Sequence, residues 1–287
     1  MMHVVATRRL PVILPSVTDE LLSSWTGRHA SFYEVSPLIT LRHCIPEIRS
    51  LRSADLDLTN DQEIRLANMF ATKPPAIRQM TFTDIAQASR RLIAARPTQV
   101  CVNCSAGLEP VPVLRGQLQG WRITCPLCGN QFRDVDDHER ASLFRQYLDT
   151  ALHGEKLLDD EARRGVKTWA SPAGIVHLLL MRRIELPFPA EEELWRFRVL
   201  GKIIPELDHV LAESCTSFPT PQNPVLPLHL RAALLAGVAM VHSSGVEMLH
   251  MLPRSTLGLH RRRFDREAMP FFVSASRMKH STQMQLI

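Results

Sequence analysis

The chain has 287 residues, 45% hydrophobic and 22% charged, which excludes a disordered or fibrous polymer and leaves room for one large or two modest domains with real cores. No apolar run reaches the roughly 18 residues a membrane span needs, and the best candidate, 232–241, has a length of 10. Net charge is +5, and residues 254–287 alone carry seven Lys or Arg against two acids, so the excess is a C-terminal feature that suits a polyanionic partner.

From the N-terminus, "MMHVVATRRLPVILP" sets charge before a short apolar run broken by two prolines. That is not a secretory signal, so a cytoplasmic protein without membrane attachment is expected. Six cysteines in that compartment argue against a disulfide framework. The first hundred residues read as helices. "SVTDELLSSWTGRHASF" offers Thr18 as N-cap and Asp19 and Glu20 in the first turn, with Leu21, Leu22 and Trp25 on one face. A second short helix opens at Pro37. "TNDQEIRLANMFA" starts from a Thr59 or Asn60 cap and turns Ile64, Leu66, Ala67 and Phe70 inward. "ATKPPAIRQMTF" and "TDIAQASRRLIAA" follow, closing at Pro97. A helix, a short turn and a helix within "LANMFATKPPAIRQMTFTDI" have the parts of a helix-turn-helix, a pattern that packing alone also produces.

Residues 99–135 change character, with Cys, Gly and Pro among β-branched residues, and read as short strands and turns. Helices return in "DDHERASLFRQYLDTAL", "SPAGIVHLLLMRRI", "AEEELWRFRVLGKIIPELDHVLAES" and "PLHLRAALLAGVAMVHSSGVEMLHML", with a Pro-rich connector over 216–227. The resulting expectation is a mainly α protein. It has a helical N-terminal domain over 1–98 with a helix-turn-helix-like segment, a small four-cysteine zinc ribbon over 99–135 and a helical C-terminal domain over 136–270. A polar, aperiodic and disordered tail is expected over 271–287.

Cys101, Cys104, Cys125 and Cys128 form C-x2-C-x20-C-x2-C, the spacing of a zinc site. Each C-x-x-C turn sets two thiolates on one side of a knuckle, and two facing knuckles make a tetrahedral four-sulfur cage for Zn²⁺. Four protein ligands leave no corner for water, so the metal is structural. No βαβ unit surrounds either pair, which disfavours thioredoxin-like chemistry, and iron–sulfur proteins space their cysteines more compactly. Cys44 and Cys215 read as buried free thiols.

Other chemistry finds little support. The chain has no P-loop, no H-E-x-x-H and no G-x-S-x-G. The acidic run Asp134–Glu139 lacks the distant carboxylates that a metal-pair nuclease needs and reads as a helix cap. The basic run around Arg261, Arg262 and Arg263 is either a solvated face or a phosphate contact, with Arg78 of the helix-turn-helix-like segment as a further nucleic-acid candidate.

The opening "LPVILPSVTDELLSSWTGRHASF" resembles that of the TniQ family, through Pro11, Pro15, Glu20, Leu22, Ser23, Ser24, Trp25 and Arg28. "IRLANMFATKPPAIRQMTF" is similar to that family's helix-turn-helix stretch at Leu66, Ala67, Ile77, Arg78, Met80 and Thr81. Cys101 and Cys104 then stand where the family places its zinc motif. The likeness covers about the first 130 residues. It implies a non-enzymatic accessory protein of DNA transposition that links target DNA, or a target-bound complex, to an AAA+ ATPase regulator; some members dock on an RNA-guided CRISPR complex. It further implies that the N-terminal segment with Leu14 and Trp25 faces the ATPase. Many members bind a second zinc through a Cys-x-x-His element. Here the stretch between Cys104 and Cys125 holds neither Cys nor His, so one Zn²⁺ per chain is expected. A homodimer is compatible with these parts. So is the alternative function, a zinc-containing helix-turn-helix regulator of transcription.

Overall fold

A computed structural model describes residues 9–105, 111–134, 144–184, 197–213, 220–254, 256 and 258–284. The helices are α1 (Leu22–Phe32), α2 (Pro37–Cys44), α3 (Leu51–Leu56), α4 (Asn60–Met69), α5 (Pro74–Gln79), α6 (Gln87–Arg90) and α7 (Val102–Ser105). They continue with α8 (Leu148–Arg164), α9 (Pro172–Leu179), α10 (Glu206–Glu213), α11 (Leu228–Ser244), α12 (Val246–Met251) and α13 (Gly258–Met284). Among the described residues the sheet consists of β1 (Gln99–Val100) and β2 (Arg133–Asp134), antiparallel with Val100 opposite Arg133. The protein is therefore mainly α with a four-cysteine cluster. No helix among the described residues is long and apolar enough to cross a membrane.

The chain divides into two compact units. The first takes Met1–Ile85, Ala95–Gln119 and Thr124–Val135; the second takes Ala86–Ala94, Gly120–Ile123 and Asp136–Ile287. In the first, Leu22, Trp25, Leu41, Ile45, Leu66, Phe70 and Ile77 form one core on which Leu10 and Ile13 pack. Thr59 caps α4 through a reciprocal box with Gln62, and Pro37 opens α2, both as the sequence predicts.

The α1 start differs from expectation. Leu21, not Thr18, is the N-cap, because Asp19 and Glu20 have tertiary partners. Asp19 accepts from the Gly116 N–H at 2.9 Å, and Glu20 takes a bidentate pair of bonds from Arg28 at 2.6 and 2.8 Å. The capping acceptor comes from far away in sequence: the Ser23 N–H donates to Asp55 Oδ1 at 3.0 Å. Ile64 is half-exposed and Met69 takes the inward place instead, since the buried face of α4 runs from Met69 through Leu66 to Ala67 and Ile64 lies beyond its edge.

Asp55 has a consequence for stability. Burial pushes its carboxyl up from 3.8 to about 6, against the Ser23 bonds that favour the carboxylate. The folded chain thus holds a proton through a window, about pH 4 to 6, in which the unfolded chain has released it. Its contribution to stability falls as pH rises through that window, by about 3 kcal/mol. Asp55→Asn keeps an acceptor for the Ser23 amide and removes the titration. Urea unfolding at pH 4 and pH 7 should show the variant gaining on the wild type between the two; equal wild-type-minus-variant differences at both pH values would refute it.

In the second unit α11 is the central helix. It packs on α8, α9 and α12 and is buried almost all round, from His229 to Ala239 without a break. Gly154 of α8 makes the closest approach: a Cβ there would lie 2.0 Å from the Leu235 carbonyl oxygen. Gly245, at φ +72, separates α11 from α12 where the sequence suggests a single helix. The predicted helix over 190–214 is also divided. A 3₁₀ turn at Val199–Lys202 precedes Pro205, and α10 begins after it; 190–196 lie outside the described residues. Residues 271–284, expected as a disordered tail, continue α13. Phe271 lies against Gly174, Phe272 stacks on His250 at 4.2 Å and Ala275 is buried, so apolar spacing carries the helix past Pro270.

Candidate metal centre

The antiparallel pairing of β1 with β2 brings the two C-x-x-C segments together. Cys101 directly follows β1, and α7 carries Cys104 on its turn, with the Ser105 N–H returning to the Cys101 carbonyl at 3.0 Å. The second knuckle is closed by Cys125 N–H to Asn130 O at 2.8 Å and by Gly129 N–H to Cys125 O at 2.9 Å. It rests on a Thr124–Gln131 antiparallel bridge. Gly129 sits at φ +76 with open space around it, the left-handed conformation that turns the chain back toward the sulfurs.

The four Sγ atoms lie within 4.8 Å of one another. Cys101 to Cys128 is 3.5 Å and Cys104 to Cys125 is 3.8 Å. These are no disulfides, whose sulfurs stand about 2.05 Å apart. They match the roughly 3.8 Å edge of a tetrahedron whose centre is about 2.3 Å from each sulfur. Backbone amides support the cage. The Asn130 N–H brings the Cys128 thiol down to about 7. Burial pushes the Cys125 thiol up, opposed by the Leu127 and Cys128 amides. Cys101 and Cys125 are buried, Cys104 is half-buried and Cys128 is exposed. The set can hold a thiophilic cation with all four corners occupied.

Leu14, Pro15, Glu20, Ser24, Trp25, Arg28 and His29 form a hydrogen-bonded group in the same unit as the cage. Trp25 Nε1 donates to the Leu14 carbonyl at 2.9 Å, and the Leu14 N–H donates to His29 Nε2 at 2.9 Å. His29 Nδ1 meets the Trp25 carbonyl at 2.9 Å, so the ring is neutral, with its proton on Nδ1; burial lowers its pKa. Arg28 also donates to Pro15 O at 2.7 Å. Ser24 links this group toward the cysteines, donating to Glu20 at 3.2 Å and accepting from the Val113 N–H at 2.9 Å. Trp25 is 3% exposed and packs against Phe70, ring centroids 4.5 Å apart. The expectation that Trp25 faces a partner is corrected: its indole fastens the N-terminal segment onto α1. Leu14 is half-buried, and its backbone is fully engaged.

The other predicted sites fare differently. In the helix-turn-helix-like pair, Ala71 at φ 46 makes the turn between α4 and α5. Arg78 is bonded to Glu63 at 2.9 Å and to Asn60 of α4, and to Asp84 after α5, so it locks α5 onto α4. Arg261, Arg262 and Arg263 are all exposed on α13. Cys44 is a buried free thiol, pushed up to about 12 by burial; Cys215 lies outside the described residues. Asp134 belongs to β2, and the rest of its acidic run is outside them as well. The Asp55 cap on α1 and the anchoring of Arg122 by Glu155 and Asp159 have no local signal in the sequence, since the partners are 32 or more positions away.

Fold and cage together define a mainly helical protein with a cluster of four cysteines that could hold a metal ion. Compared with protein-family models, curated proteins and solved structures, the chain matches none of them.

Proposed function

We propose that the protein is a non-enzymatic adaptor of DNA transposition, which couples target DNA, or a complex bound to it, to an AAA+ ATPase regulator, and that its cage holds one structural Zn²⁺. Zinc is the reading that four thiolates in a tetrahedral cage support best; when bound it supplies a cross-link and no reaction step. The observation that carries the adaptor reading is the joining of three separate stretches in one compact unit. Arg28 and Glu20 tie the proline-spaced segment to the Leu-Ser-Ser-Trp helix, and Ser24 ties that helix to Val113, in the stretch between the two cysteine pairs. Arg78, engaged by Glu63, argues against a regulator of transcription that reads bases through α5.

With Trp25 inside, the partner surface falls to the apolar groups left outside: Val12, held by Tyr33, and Phe32, Val35 and Ile39, which are 43 to 63% exposed. The protein should bind the AAA+ ATPase encoded beside it, more tightly when that ATPase is assembled on duplex DNA with ATP, because an assembly offers several copies of one surface. Phe32→Asp with Ile39→Asp should weaken the association at least tenfold in a pull-down or interferometry titration, since burying each such side chain is worth about 1.5–3 kcal/mol. No association with or without ATP and DNA, together with a discrete footprint by this protein alone, would favour the regulator.

A further inference from the structure

Helix α13 has two unlike sides. Phe264, Ala268, Phe271 and Ala275 recur at steps of four, three and four and form its inward stripe, with Phe264 and Ala268 at 2% and 0% exposure. At about 100° per residue, Arg262, Arg266, Val273 and Arg277 fall on the opposite, outward side. Arg263 lies on the flank toward α9, where Glu267 approaches His177 Nε2 at 3.9 Å. Arg91, at the end of α6, adds a cation from a distant part of the sequence. α6 packs on α9, and Arg91 and Arg263 both bear on His177. Arg261 is separated from the rest by its helical phase and pairs with Asp265 at 3.9 Å. Among the described residues Arg91, Arg262, Arg263 and Arg277 make no ion pair, and Arg266 has only an exposed one with Glu267.

We propose that this band, Arg91, Arg262, Arg263, Arg266 and Arg277, is the surface that takes duplex DNA, gripping its phosphate backbone without reading sequence. The proposal rests on the reading that DNA is a partner, and it moves the contact away from α4 and α5. Arg262 and Arg277 are 15 positions apart, about 22 Å along a helix axis. A major groove is about 12 Å wide, so the row reaches phosphates on both sides of one. Unlike an interfacial helix, which must lay its apolar stripe in the bilayer, α13 has its stripe buried in its own unit. Outward it shows Arg262, Arg266 and Arg277, whose planar forks fit phosphate, interspersed with the exposed side chains of Leu259, Met269 and Val273.

The test is a salt titration of the full-length, metal-loaded protein against a fluorescent duplex of random sequence. Replacing Arg262, Arg263 and Arg277 together by Ala should flatten the slope of log K against log salt by about 0.9 for each phosphate no longer neutralised. Arg261→Ala should leave it unchanged. Arg91→Gln with Arg263→Gln provides a second variant, and thermal melting checks that each is folded. If wild type and the triple variant bind with the same slope, the band is overturned while the DNA reading stands. If the wild type binds no duplex, both fall. Binding to phosphatidylserine vesicles but not to duplex would make the band a lipid contact and overturn the proposal.

Discussion

Cys125→Ser should unfold the two cysteine knuckles, 99–105 and 124–134, and destabilise the protein by on the order of 5 kcal/mol or more, because binding free energy at a structural metal is folding free energy. Cys125 is buried, and its sulfur accepts from the Leu127 and Cys128 amides; serine is too short and too hard a ligand to replace it. Cys128→Ser should be milder, since that corner is exposed and water can complete the shell. The damage should extend beyond the knuckles. The Leu21 N–H bonds to Val113 O at 2.9 Å and the Gly116 N–H to Asp19 at 2.9 Å, so loss of a metal from the cage should loosen the first residues of α1. Elemental analysis of protein purified without chelator should give one zinc per chain. Hydrogen exchange after chelation should show new exposure at 99–105 and 124–134 and at the start of α1. Two zincs, none, or a Cys125→Ser variant that melts with the wild type would contradict this.

The cage is legible in the sequence because its chemistry is local: two knuckles, each specified by a four-residue pattern, need only the pairing of β1 with β2 to meet. The Thr59 box and Pro37 are legible for the same reason. The start of α1 is not. Asp19 and Glu20 suit a helix dipole, a preference worth about 0.3–1 kcal/mol, but the bidentate bonds from Arg28 to a fully buried Glu20 carboxylate are stronger. Trp25 misleads for a related reason. The resemblance fixes its place on α1 but does not say which side of the helix the N-terminal segment covers. The run Arg261–Arg263 reads as a single cluster, whereas helical phase divides it into a paired flank and an outward face. In the tail, polarity points to disorder; Phe271, Phe272 and Ala275 are few, yet they fall at core spacing.

The other large effect is expected at Arg122, which the sequence places inside a zinc ribbon and the structure assigns to the second unit with Gly120–Ile123. Arg122 is 5% exposed. It donates to Asp159 at 2.5 Å and to Glu155 at 3.4 Å. Both carboxylates hold the same short segment a second time: Asp159 accepts from Trp121 Nε1 at 2.7 Å and Glu155 from the Ile123 N–H at 2.9 Å. The Arg122 carbonyl in turn accepts from the fully buried Arg231 at 2.6 Å. Arg122→Met keeps most of the side-chain volume but removes the buried cation that Glu155 and Asp159 share, leaving Asp159 the exposed Arg163 at 3.9 Å, and breaking one side of a buried pair costs about 3–5 kcal/mol. If the cost is that of stranded charge, it should be recoverable. Adding Glu155→Gln and Asp159→Asn to Arg122→Met retains acceptors for the Ile123 and Trp121 N–H groups and removes the charges, so the triple variant should regain much of the stability. Urea unfolding of the three proteins, followed by Trp fluorescence, measures it. A single variant within about 1 kcal/mol of wild type, the size of an exposed pair, would mean that water reaches the cluster and that packing of Trp121, rather than the ion network, holds 120–123 in the second unit.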